Sequence, residues 1–168
     1  MILNNSVNAG GFIYCMAYLG PNESVSYFNQ GDGHFHQWFY IVDGRAFAEI
    51  KTADDNILIE THDTRDIGPL VNQEKFKGKS TNLRTEDSGI SIMFFNPIPE
   101  TRELDVEIVK GPAEFEVSAV DNRITLVAIT GPIQANDKTL LSMQHAKIFP
   151  DKTVSIKLEE NAVCALVT

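Results

Sequence analysis

Cysteine is nearly missing from this chain: Cys15 and Cys164 are the only two in 168 residues, and they lie at opposite ends. A fold stapled by a disulfide framework is therefore excluded. Both cysteines sit in apolar runs, Ile13-Tyr14-Cys15-Met16-Ala17 and Ala162-Val163-Cys164-Ala165-Leu166, a setting that suits free buried thiols in a reducing, cytoplasmic compartment. Helical periodicity is also missing, since no segment sustains apolar residues at i, i+3, i+4 and i+7. Long hydrophobic runs are absent: the longest, Phe12 to Leu19, falls far short of the roughly 20 residues a spanning helix needs. The opening Met-Ile-Leu-Asn-Asn-Ser-Val-Asn has no basic leader, so no membrane partner is expected. Positive charge is scarce, with 14 Lys and Arg against 23 Asp and Glu and a net charge of -9. Such a surface repels phosphate backbones, and no nucleic-acid partner is expected. The one basic cluster, Lys75-Phe76-Lys77-Gly78-Lys79, reads as a solvated loop. No glycine-rich phosphate loop, no zinc-finger spacing and no serine or cysteine in a nucleophile setting is present, which leaves nucleophilic catalysis without support.

What is present is strand pattern. Apolar residues alternate, or run for four to eight, between clusters of Gly, Pro, Asn and Asp. The pattern predicts strands at 11–19, 24–30, 34–42, 45–51, 56–62, 81–86, 89–95, 103–109, 114–119, 123–130, 133–135, 139–148, 153–158 and 162–167. Turn signals at Gly20-Pro21-Asn22, Asp43-Gly44, Asp87-Ser88-Gly89 and Asp121-Asn122 point to an all-β sandwich or barrel with under about a tenth of its residues helical, 70–77 being the place for a short helix. Two prolines in Asn96-Pro97-Ile98-Pro99-Glu100 break the pattern and suggest a division into 1–100 and a second β half, 101–168, packed against it. Tyr40-Ile41-Val42-Asp43-Gly44-Arg45-Ala46-Phe47-Ala48 resembles Val127-Ala128-Ile129-Thr130-Gly131-Pro132-Ile133-Gln134-Ala135, each a strand, a glycine turn and a strand. The acidic residues Glu100, Glu103, Asp105 and Glu107 read as a solvated strand face.

The segment richest in chemistry is Gly31-Asp32-Gly33-His34-Phe35-His36-Gln37-Trp38-Phe39-Tyr40-Ile41-Val42-Asp43-Gly44. On an extended strand His34, His36, Trp38 and Tyr40 share one face. Two neutral imidazoles two residues apart make half of a first-row metal site, and the tryptophan and tyrosine beside them suit a polar or aromatic ligand.

At these residues the chain resembles the cupin superfamily, whose first motif is a glycine, His-x-His, an acidic residue and a closing glycine. His34, His36 and Gly44 match. Counting forward, the acidic position falls on Tyr40; counting back from Gly44, it falls on Gln37. The histidine of the second motif has no counterpart in Lys77-Gly78-Lys79-Ser80-Thr81, although His62, which shares its face with Glu60, would complete a site from the next hairpin. The resemblance implies a double-stranded β-helix, or jelly-roll, barrel over 11–97 and a degenerate second cupin-like half over 113–168, a compact bicupin of pirin-like layout. It implies a small-molecule-binding protein with an incomplete metal site, its ligand held by His34, His36, Trp38 and Tyr40. The alternatives are a metal-dependent oxygenase or isomerase using a divalent ion on His34 and His36 with His62, and a non-catalytic assembly or ligand-sequestering protein. Barrel edge strands that need covering imply a homo-oligomer.

Overall fold

The computed structural model describes residues 2–3, 6–28, 35–43, 46–51, 56–61, 65–67, 79–95 and 104–168. It divides into two units, Met1–Glu103 and Leu104–Thr168. In the first, β1 (Ile2–Leu3) and β2 (Val7–Asn8) precede β3 (Ile13–Leu19), β4 (Ser24–Phe28), β5 (Phe35–Asp43), β6 (Ala46–Lys51), β7 (Asn56–Thr61), β8 (Arg65–Asp66), β9 (Ser80–Thr85) and β10 (Ser88–Phe95). One sheet runs β1-β3-β10-β5-β8, with β2 also on β3, and the other runs β4-β9-β6-β7. The second unit contains β11 (Val106–Lys110), β12 (Ala113–Ala119), β13 (Ile124–Thr130), β14 (Ile133–Ala135), β15 (Lys138–Leu140), β16 (His145–Ile148), β17 (Lys152–Leu158) and β18 (Val163–Val167). Its sheets are β11-β18-β13-β16 and β12-β17-β14-β15.

Counted from β3 and from β11, the two units have one strand order. The first, eighth, third and sixth strands make one sheet and the second, seventh, fourth and fifth make the other, all antiparallel. This is the jelly-roll arrangement of two Greek keys. The described residues contain strands and turns and no helix; the segment 70–77 lies outside them, as do most of the residues around the two prolines.

The turn signals mark passages between sheets. Gly20-Pro21-Asn22 carries the chain from β3 to β4, Asp43-Gly44 from β5 to β6, Glu86-Asp87 from β9 to β10 and Asp121-Asn122 from β12 to β13. The two segments that resemble one another are thus equivalent corners and not hairpins, because β5 and β6, like β13 and β14, belong to different sheets. The first corner is pinned by side chains: the Gly20 N–H donates to Glu23 Oε2 at 2.8 Å, and Thr85 Oγ1 donates to the Gly20 carbonyl at 2.8 Å. A true hairpin joins β14 to β15 through Asn136-Asp137. Asn136 takes the left-handed φ of 52°, which asparagine tolerates better than most residues, and its Oδ1 accepts the Ser155 N–H at 2.9 Å.

The segment 139–148, expected as one strand, is two. Leu141–Gln144 leaves the sheet because Met143, at φ 71°, turns the chain so that Met143 N–H donates to the Ala128 carbonyl and Ala128 N–H donates to the Gln144 carbonyl. The strand expected at 103–109 begins at Val106. The two-residue strands β1, β2 and β8 carry no alternation to read, and the sequence pattern does not predict them.

The second unit's core joins both of its sheets: Leu126, Ala128 and Cys164 pack with Val117, Ile133, Ile156 and Leu158. Residues from the alternate positions, Val127, Val163, Ala165 and Val167, are also buried but stand outside that cluster. Hence the inward face of β13 and β18 is the one carrying Leu126, Ala128, Cys164 and Leu166. Gly111 closes one end, where a Cβ would overlap the Glu159 carbonyl, whereas a Cβ on Gly20 would meet only the flexible tip of Glu23 at 3.5 Å. Gly111→Ala should lower the chemical-denaturation midpoint by the equivalent of about 1–3 kcal/mol, while Gly20→Ala stays within about 1 kcal/mol. Equal effects of the two would contradict this packing.

Candidate functional site

β5 lies between β10 and β8, and its register sets His36, Trp38 and Tyr40 opposite Phe94, Ile92 and Ile90. The same rows continue on β3 as Tyr14, Met16 and Tyr18. Phe94, Ile92, Tyr14 and Met16 are closed to solvent, and Phe12, Tyr14 and Phe94 form a tilted aromatic cluster with centroids 5.9 to 6.3 Å apart. Burial pushes the Tyr14 hydroxyl up to about 12, so it stays protonated at any physiological pH. Asp66 on β8 stands opposite Trp38, a carboxylate brought to this strand by a pairing too short to read from the sequence.

The alternate rows are different in kind. Gln37, Phe39 and the end of β5 run beside Met93, Ser91 and Gly89, then Cys15, Ala17 and Leu19. Ser91, Gly89, Cys15 and Ala17 are small, and Ser91 and Ala17 are fully buried.

The second unit shows which set faces inward. Asp43 pairs with Ser88 and Thr130 with Val163; in both units one extra residue then bulges on the strand entering the corner before pairing resumes at Tyr40–Ile90 and at Ala128–Cys164. Aligning the two corners also aligns the two bulges. Phe39–Ser91 then corresponds to Leu126–Leu166, and Ala46–Thr85 and Ala48–Leu83 to Ile133–Leu158 and Ala135–Ile156. Thr81 falls at the position of Val154. The inward wall of the first unit is thereby Ser91, Thr81, Leu83 and Thr85, where the second has Leu166, Val154, Ile156 and Leu158.

Each unit carries a concavity among its described residues. A groove of about 490 Å³ opens into the second unit between β11 and β12, lined by Asp105, Glu107, Phe115, Ile124, Leu166 and neighbouring residues. The carboxylates read as a solvated strand face therefore flank an apolar opening; Glu100 and Glu103 lie outside the described residues. Ile124 begins β13, and its counterpart on β5 is Gln37, next to His36. The second concavity, about 350 Å³, lies on the outer face of β6, β7 and β9, where the Arg84 guanidinium sits 5.1 Å from the Phe47 ring centroid beside Leu58 and Asn82.

No protein-family model matches the chain, and no curated protein matches it in sequence. Solved structures do match. YhaK from Escherichia coli superposes with a TM-score of 0.60 over 95% of this chain and 86% of its own, at 10% identity. HutD from Pseudomonas fluorescens gives 0.51 over 94% and 79%, at 11% identity, and a point variant of oxalate decarboxylase from Bacillus subtilis gives 0.54 over 95% and 69%, at 7%. This chain has a cupin fold.

Within the cupin fold the expected site residues fare unevenly. His34 and His62 lie outside the described residues; His36, Trp38 and Tyr40 occupy consecutive alternate positions of one strand, as the spacing requires. Glu60 is exposed and pairs with Phe47, whose row carries the outer Arg84 contact, so it stands on the outer face of its sheet. No group of three or more His, Cys, Asp or Glu able to hold a metal ion occurs among the described residues. Sequence reasoning misses Ser91, because a serine inside the apolar run Ile90-Ser91-Ile92-Met93-Phe94 looks like part of an ordinary core strand. His145, half-buried on β16, has its pKa lowered by burial and by Lys147.

Both thiols are free, Cys15 half-buried and Cys164 buried. Burial pushes Cys15 up to about 11, and burial with the nearby Glu107 pushes Cys164 up to about 12. Since the thiolate is the reactive form, the native protein at pH 8 should release almost no chromophore from a disulfide reagent within minutes, and both thiols should react on unfolding. Rapid native reaction of either cysteine would contradict the placement.

Proposed function

We propose that this protein binds a small polar or aromatic molecule inside its first unit, with the histidine end of β5 as the entrance. The supporting observation is the contrast between the two interiors. At equivalent inward positions the second unit carries Leu166, Val154 and Leu158, and the first carries Ser91, Thr81 and Thr85. Aliphatic side chains hold these positions in one unit and hydroxyl-bearing ones in the other, and among the latter Ser91 Oγ is buried without a hydrogen-bond partner, the kind of polar group by which ligand pockets orient what they bind. Thr85 spends its hydroxyl on the Gly20 carbonyl, which steadies the wall.

His34 and His36 belong to this reading only through their place at one end of the barrel, since His36 occupies the row of Phe94 and Tyr14, which alternates with the inward row of Ser91. The second unit opens beside the start of β13, and the matching place in the first unit is the start of β5, next to His36. Imidazoles at a rim hydrogen-bond a polar ligand, or share a divalent ion with it when neutral. Trp38 and Tyr40, expected from the spacing to hold the ligand with the histidines, occupy the rows of Ile92 and Ile90, which alternate with the inward row of Ser91, so the pocket proposed here does not include them.

The double change His34→Ala with His36→Ala should reduce ligand or metal binding by about tenfold or more while leaving the melting temperature nearly unchanged. Undiminished binding in a folded double variant would remove the pair from the site.

A further inference from the structure

We infer that Ser91 is the residue that recognises the ligand of the first unit, and that it selects a neutral molecule with one hydroxyl or carbonyl group on an apolar body. The inference rests on the proposal that the first unit is the binding one.

Among the described residues Ser91 Oγ is the buried side-chain polar atom with no hydrogen-bond partner. Ser91 is 0% exposed, so no bulk water reaches it. Buried hydroxyls are satisfied in the great majority of cases, and one that is not calls for a group the protein does not supply. Its direction follows from the ladder: Ser91 corresponds to Leu166, which packs against the second unit's inter-sheet core.

Its surroundings limit what the missing partner can be. The next residue in its row, on β3, is Ala17, with no side chain beyond Cβ, and Met93 and Cys15 fill the adjacent row. Leu83 stands at the position of Ile156 on the other wall. Cys15 remains a neutral thiol, so none of these described neighbours carries charge. An ion placed here would lose its hydration with no counter-charge among them, whereas a neutral hydroxyl or carbonyl needs only the one hydrogen bond that Ser91 offers, as donor or acceptor. The rest of the ligand would lie against Ala17, Met93 and Leu83.

The second unit provides the control built into the molecule. Its leucine at this position is half-buried and lines the groove between β11 and β12, so Ser91→Leu replaces the hydroxyl with the second unit's apolar side chain and adds bulk to a closed wall, and Ser91→Ala removes the hydroxyl while adding nothing.

The test uses phenol and toluene, which share shape and differ by the hydroxyl, titrated calorimetrically into the full-length protein, with methyl signals of Met93, Ala17 and Leu83 followed by NMR. Wild type should bind phenol roughly two- to tenfold more tightly than toluene, with shifts at those methyls. Ser91→Ala should bind both equally, and should also melt at a higher temperature than wild type without ligand, since an unsatisfied hydroxyl has gone. Ser91→Leu should bind neither. If both probes shift the three methyls but phenol keeps its advantage in Ser91→Ala, the first unit binds and Ser91 is not the selector. If neither probe shifts those methyls in wild type, the binding reading of the first unit fails along with the inference. A melting temperature of Ser91→Ala below that of wild type would show a satisfied hydroxyl and overturn the inference independently of any probe.

Discussion

Everything in this molecule that concerns a site depends on one ladder, the antiparallel pairing of β5 with β10 and its counterpart, β13 with β18. Side chains alternate across a strand with a period of two, so a slip of one residue would exchange the two faces completely. Each ladder carries one bulge, at the same distance from the corner that follows, and that extra residue resets the parity beyond it. Because the bulges coincide, the face assignment established by the second unit's core transfers to the first. Without this constraint Ser91 and Ile92 would be indistinguishable as inward candidates.

The two interiors differ in what their equivalent positions carry. In the second unit Leu126, Ile133, Ile156 and Leu158 are closed to solvent, and burying each such side chain contributes about 1.5–3 kcal/mol. In the first unit the corresponding positions are Phe39, Ala46, Leu83 and Thr85, with Ser91 in place of Leu166, and a lone hydroxyl such as Ser91 costs about 1–3 kcal/mol while unsatisfied. The first unit recovers apolar packing on its alternate rows, where Tyr14, Phe94, Met16 and Ile92 are fully buried. A fold duplicated in topology thus carries one interior wall of aliphatic side chains and one with hydroxyls among them, and cupin-fold neighbours at 7 to 11% identity show how little sequence the architecture itself demands.

Much of the fold is legible in alternation and turn chemistry. The spans 133–135, 89–95 and 114–119 fall within a residue of β14, β10 and β12, because in each the polar breaks sit at strand ends. The repeat built on Gly44 and Gly131 marks equivalent corners by sequence alone. What escapes has physical reasons. β8 is two residues long and exists through pairing with β5, so it leaves no period, and Asp66 is hidden with it. The break inside 139–148 depends on a left-handed Met143 held by bonds to Ala128, a long-range contact. The histidine pair draws attention because imidazole is chemically loud, while Ser91 becomes visible only through its burial and its missing partner.

The most direct measurement is electron density inside the first barrel, in crystals of protein purified without added ligand. The account expects non-protein density, ligand or ordered water, within about 3 Å of Ser91 Oγ, and an interior around Ile156 and Leu126 that is filled by protein alone. A Ser91 hydroxyl bonded to a protein group, in a first barrel packed as tightly as the second, would contradict it.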